Sequence, residues 1–287
     1  MSKFNIRKNS PLENNISLFY SGSNFSPLLN LAIEAALIAG DVISEIYSSD
    51  FLAPSLKNDG SVLSEADLRA NEVIIKKLNS SNLPILSEER LVSFEQRKKW
   101  DRYWLVDPLD GTKDFLNRND EFTVNIALIE KGFPVIGVVS APAKKKIWLA
   151  EKNRGAWRSE NGSIKKINAD ANWPEQTSMF ISRFHNSPAC NKFALLNNIK
   201  NQVTLGSSLK IVSIASGEGE FYPRFSGSSE WDIAASHIIL KEAGGFINDI
   251  SGNNLIYNKE NFLNPFFIAW RPPMQWNEIK IPRLTIG

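Results

Sequence analysis

Cysteine, histidine and net charge are all scarce in this chain, and each scarcity removes a class of explanation. Cys190 is the only cysteine among 287 residues, so no intrachain disulfide is possible and a reducing cytoplasm is the expected setting. Two histidines and that one cysteine cannot build a tetrahedral structural zinc site. A formal net charge of +2 is too small to argue for a nucleic-acid polymer as partner. Long apolar runs are missing as well. A membrane span needs roughly 20 consecutive apolar residues, and the best candidate, LLNLAIEAALIAGDVI (28–43), is interrupted by Glu34 and Asp41. The first residues, MSKFNIRKNSPLENN, place no apolar stretch behind their basic groups, so no secretory signal is expected. Residues 1–24 read as a polar extension rich in Asn and Ser.

What is present suits a globular protein with a bulky core: 43% hydrophobic residues, 22% charged, 17 phenylalanines and eight tryptophans. Ser26-Pro27 reads as an N-cap and first helical position, followed by apolar residues at helical spacing to about Tyr47. A second helix is expected over 64–81, with Leu68, Val73, Ile74 and Leu78 as its buried stripe and Ser64 as its cap. LPILSEE (83–89) and RYWLVDP (102–108) are apolar runs ending in acid. FTVNIALIE, PVIGVVSAP and KIWLAE read as meander strands joined by turns at Lys131-Gly132 and Ala143–Lys145. The polar stretch 152–178 suggests a soft boundary between an N-terminal subdomain (25–170) and a C-terminal one (171–287). WDIAASHIILKEAGG (231–245) reads as a helix that Asp232 can cap and two glycines stop. Mixed helices and strands with meanders predict a layered α/β sandwich.

The acidic residues share one placement. Asp67 lies early on a helix, Glu88 and Glu89 end one apolar run, Asp107 and Asp110 end another, and Asp232 opens the last strong helix. Strand ends and helix starts are where α/β folds gather polar groups at a cleft. Taken singly, each has a plain structural explanation: Asp-Gly is a common turn, Asp232 a cap, Asp67 a solvated helix residue. Taken together, converging carboxylates repel one another and need a cation to coexist near neutral pH. All-oxygen donors favour Mg²⁺. Asp107 and Asp110, three apart on a turn stiffened by Pro108, could face one ion or a close pair. The Leu109 carbonyl between them is a ready further oxygen. Gly111 and Thr112 then offer backbone N–H groups at a helix start, where a phosphate fits.

Four motifs, SEADLRAN, LSEE, WLVDPLDGTKDF and EWDIAASHIILKEAGG, resemble in order the signatures of the inositol monophosphatase-like, Mg²⁺-dependent and lithium-sensitive phosphatases, from about residue 26 to 270. TKDF, EFTVNIALI, GSSLK (206–210) and FYPRF (221–225) resemble its 3′(2′),5′-bisphosphate nucleotidase branch more than its inositol phosphatases. The resemblance implies the family's αβαβα fold, with two or three Mg²⁺ held by Glu88, Asp107, the Leu109 carbonyl, Asp110 and Asp232. Asp107 would bridge two ions. Asp67 and Thr112 would orient or deprotonate the attacking water, and Gly111 and Thr112 would cradle the phosphate. Ser207, Lys210 and Arg224 would hold the nucleotide, Lys210 and Arg224 on its 5′-phosphate. SRFH (182–185) resembles the SRSH of that branch, which makes His185 a candidate contact, and Lys57 resembles a loop lysine near the metals. The implied substrate is adenosine 3′,5′-bisphosphate, or its sulfated relative, in sulfur metabolism. The implied setting is cytoplasmic, with the peripheral attachment to the inner membrane found in the bacterial branch. Inositol or other sugar phosphates would use the same carboxylates, so Lys210, Arg224 and His185 must discriminate. A non-catalytic nucleotide-binding protein is the remote alternative.

Overall fold

The computed structural model describes residues 25–49, 54–56, 62–160, 163–170 and 173–284. The amino-terminal extension and Lys57 lie outside the described residues.

Helix α1 (Pro27–Tyr47) starts where Ser26 Oγ accepts the Leu29 N–H at 3.2 Å, with Pro27 supplying a preset φ at the first position. It is long and apolar enough to cross a membrane by length and composition, but it packs as a core helix against helix α2 (Glu65–Leu78) and the large sheet. Small residues on its inner face, Ala32, Ala36 and Ala39, let it lie close. In α2 the expected stripe holds at Val73, Ile74 and Leu78 but not at Leu68. Leu68 is exposed, and Ala66, Asp67, Ala70, Ile74 and Leu78 face inward. Ser64 caps the helix as expected and turns Asp67 inward, which sends Leu68, about 100° further round, into solvent.

The large sheet has seven strands in sequence order: β3 (Ile85–Ser87), β4 (Arg102–Asp110), β5 (Thr123–Glu130), β6 (Phe133–Ala141), β7 (Lys146–Glu151), β8 (Gly155–Glu160) and β9 (Ser163–Ile167). β3 and β4 run parallel and every other pair is antiparallel. Lys131 and Gly132, at φ 50° and 78°, make the positive-φ turn whose twist matches the β5–β6 hairpin. The stretch expected to be a polar boundary from residue 152 instead continues this sheet through β8 and β9. As the edge hairpin it can keep SIKKI largely solvated, so its polarity did not signal a strand. β1 (Pro54–Leu56) and β2 (Val62–Ser64) form a separate antiparallel ribbon.

The second sheet has the order β11-β10-β12-β14-β13, from β10 (Ser178–Ser182), β11 (Asn201–Leu205), β12 (Phe221–Arg224), β13 (Phe246–Asp249) and β14 (Phe267–Trp270). The short helices are α3 (Phe94–Arg97) and α4 (Thr112–Leu116); α5 (Pro188–Leu196), α6 (Leu209–Ala215) and α7 (Glu230–Glu242) complete the chain's helices as described.

The elements stack as α1/α2, large sheet, α6/α7, small sheet, α5. Three apolar clusters fill the gaps between layers. Strand β4 shows why its sequence is apolar without alternation: Trp104 and Val106 enter the cluster beneath α1 and α2, while Tyr103 and Leu105 enter the one beneath α6 and α7. Gly137 on β6 is where α7 comes closest, since a Cβ there would stand 2.3 Å from the Ala235 carbonyl oxygen. Any side chain at Gly137 would displace the helix whose first turn carries Asp232.

Candidate active site

The two central aspartates owe their common orientation to a defect in the sheet. Residues three apart on a regular strand point to opposite faces. On β4, however, Asp107 pairs with Asn125 and Asp110 with Thr123, so three steps on β4 match two on β5. The extra residue is a bulge, placed at Pro108-Leu109 where proline has no N–H to contribute to the ladder. Asp107 and Asp110 thereby share a face with Asn125 and Thr123, whose side chains bond each other at 3.0 Å. The strand therefore does not end in a turn at Asp107, as DPLDGT suggested; it runs to Asp110, and the turn begins at Gly111 with φ 89°. Leu109 is thrown to the other side, into the cluster beneath α1 and α2. Its N–H donates to Asp107 Oδ1 at 3.1 Å, which fixes that carboxylate.

Two helix starts converge on this bulge from opposite layers, and they are built alike. On α2, Asp67 Oδ2 accepts the Ser64 N–H at 2.8 Å and the Ser64 hydroxyl at 2.6 Å. On α7, Asp232 Oδ2 accepts the Ser229 N–H at 2.9 Å. Both are capping boxes with Asp at the third helical position. Asp232 is thus not the N-cap residue; Ser229 is, and Asp232 reaches back to it. In each case the box holds one carboxylate oxygen. Asp67 Oδ1 receives the Thr112 hydroxyl at 3.1 Å, and that hydroxyl also lies 3.3 Å from the Leu109 carbonyl.

A cleft of about 430 Å³ opens over these residues. Glu88, Asp110, Gly111, Thr112 and Asp232 line it on one side, and His185, Ser207, Lys210 and Arg224 line it on the other. Asp67, Asp107 and Leu109 sit just beneath, joined to the lining through Thr112 and the bulge. Glu89 is not among the lining residues. The expected site residues are therefore gathered in one place, although they come from both sheets and four helices.

The two sides differ in charge. Burial, then the charges of Glu88, Asp110, Asp232 and Asp67, raise the Asp107 carboxyl well above the usual range. Burial, Asp110 and Glu88 push Asp232 up to about 8. Asp110 is raised by burial as well, against the pull of Lys210, the Asn125 amide and the Ser208 N–H. Opposite them, Lys210 is brought down to about 8 by burial, against the attraction of Asp110. Its ammonium is turned inward, donating to the carbonyls of Ser207 (2.6 Å) and Leu205 (3.2 Å) and lying over the Tyr222 ring. Arg224 likewise donates to the carbonyls of Ser226 (3.2 Å) and Gly227 and to the Tyr222 hydroxyl. Burial, with Arg224, Lys113 and Lys210 nearby, lowers His185 and disfavours its cationic form.

The acidic donors fit a hard divalent cation, because mutually raised carboxyls are what a bound positive charge would relieve and all the donors are oxygen. Among the described residues, no three His, Cys, Asp or Glu side chains already stand as a metal cage, so donor chemistry and repulsion carry this fit.

A sequence profile of the inositol monophosphatase family matches residues 24–271. The chain belongs to that family. Among its relatives, the 3′(2′),5′-bisphosphate nucleotidase CysQ of Salmonella typhimurium is 42% identical over 245 residues, 84% of this chain and 98% of its own. The Escherichia coli K12 protein of the same name is 40% identical over 248 residues, again 84% and 98%. The crystal structure of CysQ from Bacteroides thetaiotaomicron, 35% identical, superposes with a TM-score of 0.78 over 88% of this chain and 99% of that one.

Several residues at this site were not singled out from the sequence. Asn125 donates to Asp110 Oδ2 at 3.3 Å and to the Asp232 carbonyl at 3.5 Å, tying β5 to both acidic elements. An asparagine inside the apolar run TVNIALI was the available signal, since a buried amide needs partners. Ser208 bonds the Asp232 carbonyl through its hydroxyl. Arg183 bridges Asp114 (3.4 Å) and Glu121 (2.7 Å), and Glu121 also accepts the Gly206 N–H at 2.8 Å. Only the folded chain brings these loops together. The remaining histidine and the cysteine play no part here. His237 is buried in α7 against the Tyr257 hydroxyl at 2.8 Å, and burial pulls it down to about 3. Cys190 is buried, and its thiol is pushed up by that burial.

Proposed function

We propose that this protein is a Mg²⁺-dependent 3′(2′),5′-bisphosphate nucleotidase that hydrolyses the 3′-phosphate of adenosine 3′,5′-bisphosphate, and of its sulfated relative, in the cytoplasm. Water adds its oxygen to phosphorus, the bond from phosphorus to the ribose 3′ oxygen breaks, and that oxygen takes up a proton, leaving AMP and inorganic phosphate. The observation that carries the reading is one cleft with an acidic floor and a basic wall. A phosphate monoester needs the first, and a second phosphate on the same small substrate needs cations away from it.

Glu88, Asp107, the Leu109 carbonyl, Asp110 and Asp232 would hold two or three Mg²⁺. When bound, the ions supply charge neutralisation for the reacting phosphate and acidify a water. The chain's own groups do the rest. Asp67, with one oxygen fixed by Ser64, keeps the other on the Thr112 hydroxyl, a pair placed to orient the water and accept its proton. Gly111 and Thr112 would offer backbone N–H groups to the phosphate, and Gly111 suits the tight approach, since at its φ of 89° a Cβ would come within 3.2 Å of the Glu121 carbonyl. Arg224 and Lys210 give the wall its positive charge. Arg224 retains N–H groups beyond those donated to its own loop, and these serve the 5′-phosphate. Apart from Asp232, the floor comes from residues 25–170 and the wall from 171–287, which supports reading these as two working subdomains.

Phosphate release from adenosine 3′,5′-bisphosphate and from inositol 1-phosphate, each with Mg²⁺ and with and without Li⁺, tests the reading. Preference for the nucleotide, with inhibition by Li⁺, is expected. Preference for the inositol ester would assign the same floor to a sugar-phosphate phosphatase.

A further inference from the structure

The segment that carries His185 also carries an aromatic side chain that packing does not account for. Phe184 is 41% exposed, yet it lines the cleft. Leu263, 53% exposed, lines the same cleft from the loop before β14. Lys113, also a lining residue, places its ammonium over the Phe184 ring, 6.0 Å from the centroid. A ring with a cation over one face leaves the other available to a flat partner. The backbone beneath it is held firmly: Arg183 is anchored to Asp114 and Glu121, Ser226 Oγ donates to the His185 carbonyl at 2.8 Å, and Glu121 holds Gly206 on the facing loop. The rim is therefore an apolar, π-bearing surface on a fixed support, beside a cleft whose remaining lining is mostly polar.

Resting on the nucleotidase reading, we propose that Phe184 is a specificity-determining residue of this enzyme: its ring stacks on the nucleobase and Leu263 covers the base edge, so that a nucleoside phosphate is held better than a phosphate carrying only a sugar. Bases stack on aromatic side chains whatever their sequence, and such contacts are worth enough to change affinity by roughly tenfold or more. A polyhydroxylated ring has no π face, so it gains less there than a stacked base does.

The experiment compares wild type, Phe184→Ser and Phe184→Tyr by two readouts. In turnover of adenosine 3′,5′-bisphosphate with Mg²⁺, Phe184→Ser should raise KM roughly tenfold with little change in kcat, and Phe184→Tyr should restore it. In direct binding to the Mg²⁺-loaded protein, AMP should weaken by a similar factor while ribose 5-phosphate, which keeps the phosphate and lacks the base, is unaffected. Equal weakening of AMP and ribose 5-phosphate, or an unchanged affinity for AMP, would overturn the proposal. The binding arm needs no turnover. A wild-type protein unable to hydrolyse the bisphosphate would count against the nucleotidase reading, while the AMP comparison would still decide the role of Phe184.

Discussion

The floor and the wall of the cleft are both lined by charged groups in apolar surroundings, but they handle that charge in opposite ways. On the wall, Lys210 and Arg224 are anchored internally: donors of both meet the carbonyls of Leu205, Ser207, Ser226 and Gly227, and Arg224 keeps further N–H groups for the cleft. On the floor, the carboxyls of Asp107 and Asp232 are held up by burial and by other acids around them. Backbone carbonyls can settle a buried cation because every loop supplies them. Backbone N–H groups reach only part of a carboxylate cluster, as the two capping boxes and the Leu109 N–H show. The difference teaches that the wall's charges are anchored by the fold itself, whereas the floor's carboxyls repel one another in a way that a bound cation would relieve.

The contrast can be broken most severely on the floor. Asp110→Asn should cut Mg²⁺-dependent phosphate release by at least about a thousandfold, with an unchanged far-ultraviolet circular dichroism spectrum; full turnover in that variant would refute the floor as the metal site. On the wall, Lys210→Met should act on structure and binding together. Two carbonyls lose their buried donor, so stability should fall by about 1–3 kcal/mol in urea titration, and KM for the bisphosphate should rise. Arg224→Lys keeps the charge but loses the planar fork. It should raise KM roughly tenfold and leave kcat little changed; a fall in kcat alone would move Arg224 from the wall's task to the floor's.

The smallest effect is on stability against pH. Burial and the neighbouring Asp110 and Glu88 push the Asp232 carboxyl of the cation-free fold up to about 8 from an ordinary 3.8, so between those values the folded state keeps a proton that the unfolded chain releases. Its contribution to stability is therefore lost as pH rises toward 8. Metal-free protein should show a melting temperature that drops by a few degrees from about pH 6 to about pH 8, and Mg²⁺ should flatten that slope. An equal slope with and without Mg²⁺ would mean that the ion does not bind this carboxylate.

Much of the site was readable one residue at a time. Acids at strand ends and helix starts are local patterns, and Ser64 caps α2 as its sequence indicates. Where sequence and structure part, the physical cause is shared. Periodicity places Leu68 inward, but Asp67's commitment to the cap sets the helix phase. The β8–β9 hairpin carries no strand pattern because an edge strand can be polar. Asn125 and Arg183 carry no local signature of their roles because their partners lie on other elements.

By itself, the sequence determined which chemical groups this protein has to work with: oxygen donors without a histidine–cysteine site, a glycine after the second aspartate, and an apolar strand leading into both. It also determined the layered class of the fold, because apolar periodicity and turn residues are local properties. Only the tertiary structure decided how those groups face one another. Asp107 and Asp110, three apart, belong on opposite faces of any regular strand. Pairing with β5 inserts the bulge that brings them together, and α2 and α7 then deliver Asp67 and Asp232 from opposite layers. That geometry depends on partners distant in the chain, so no local pattern contains it.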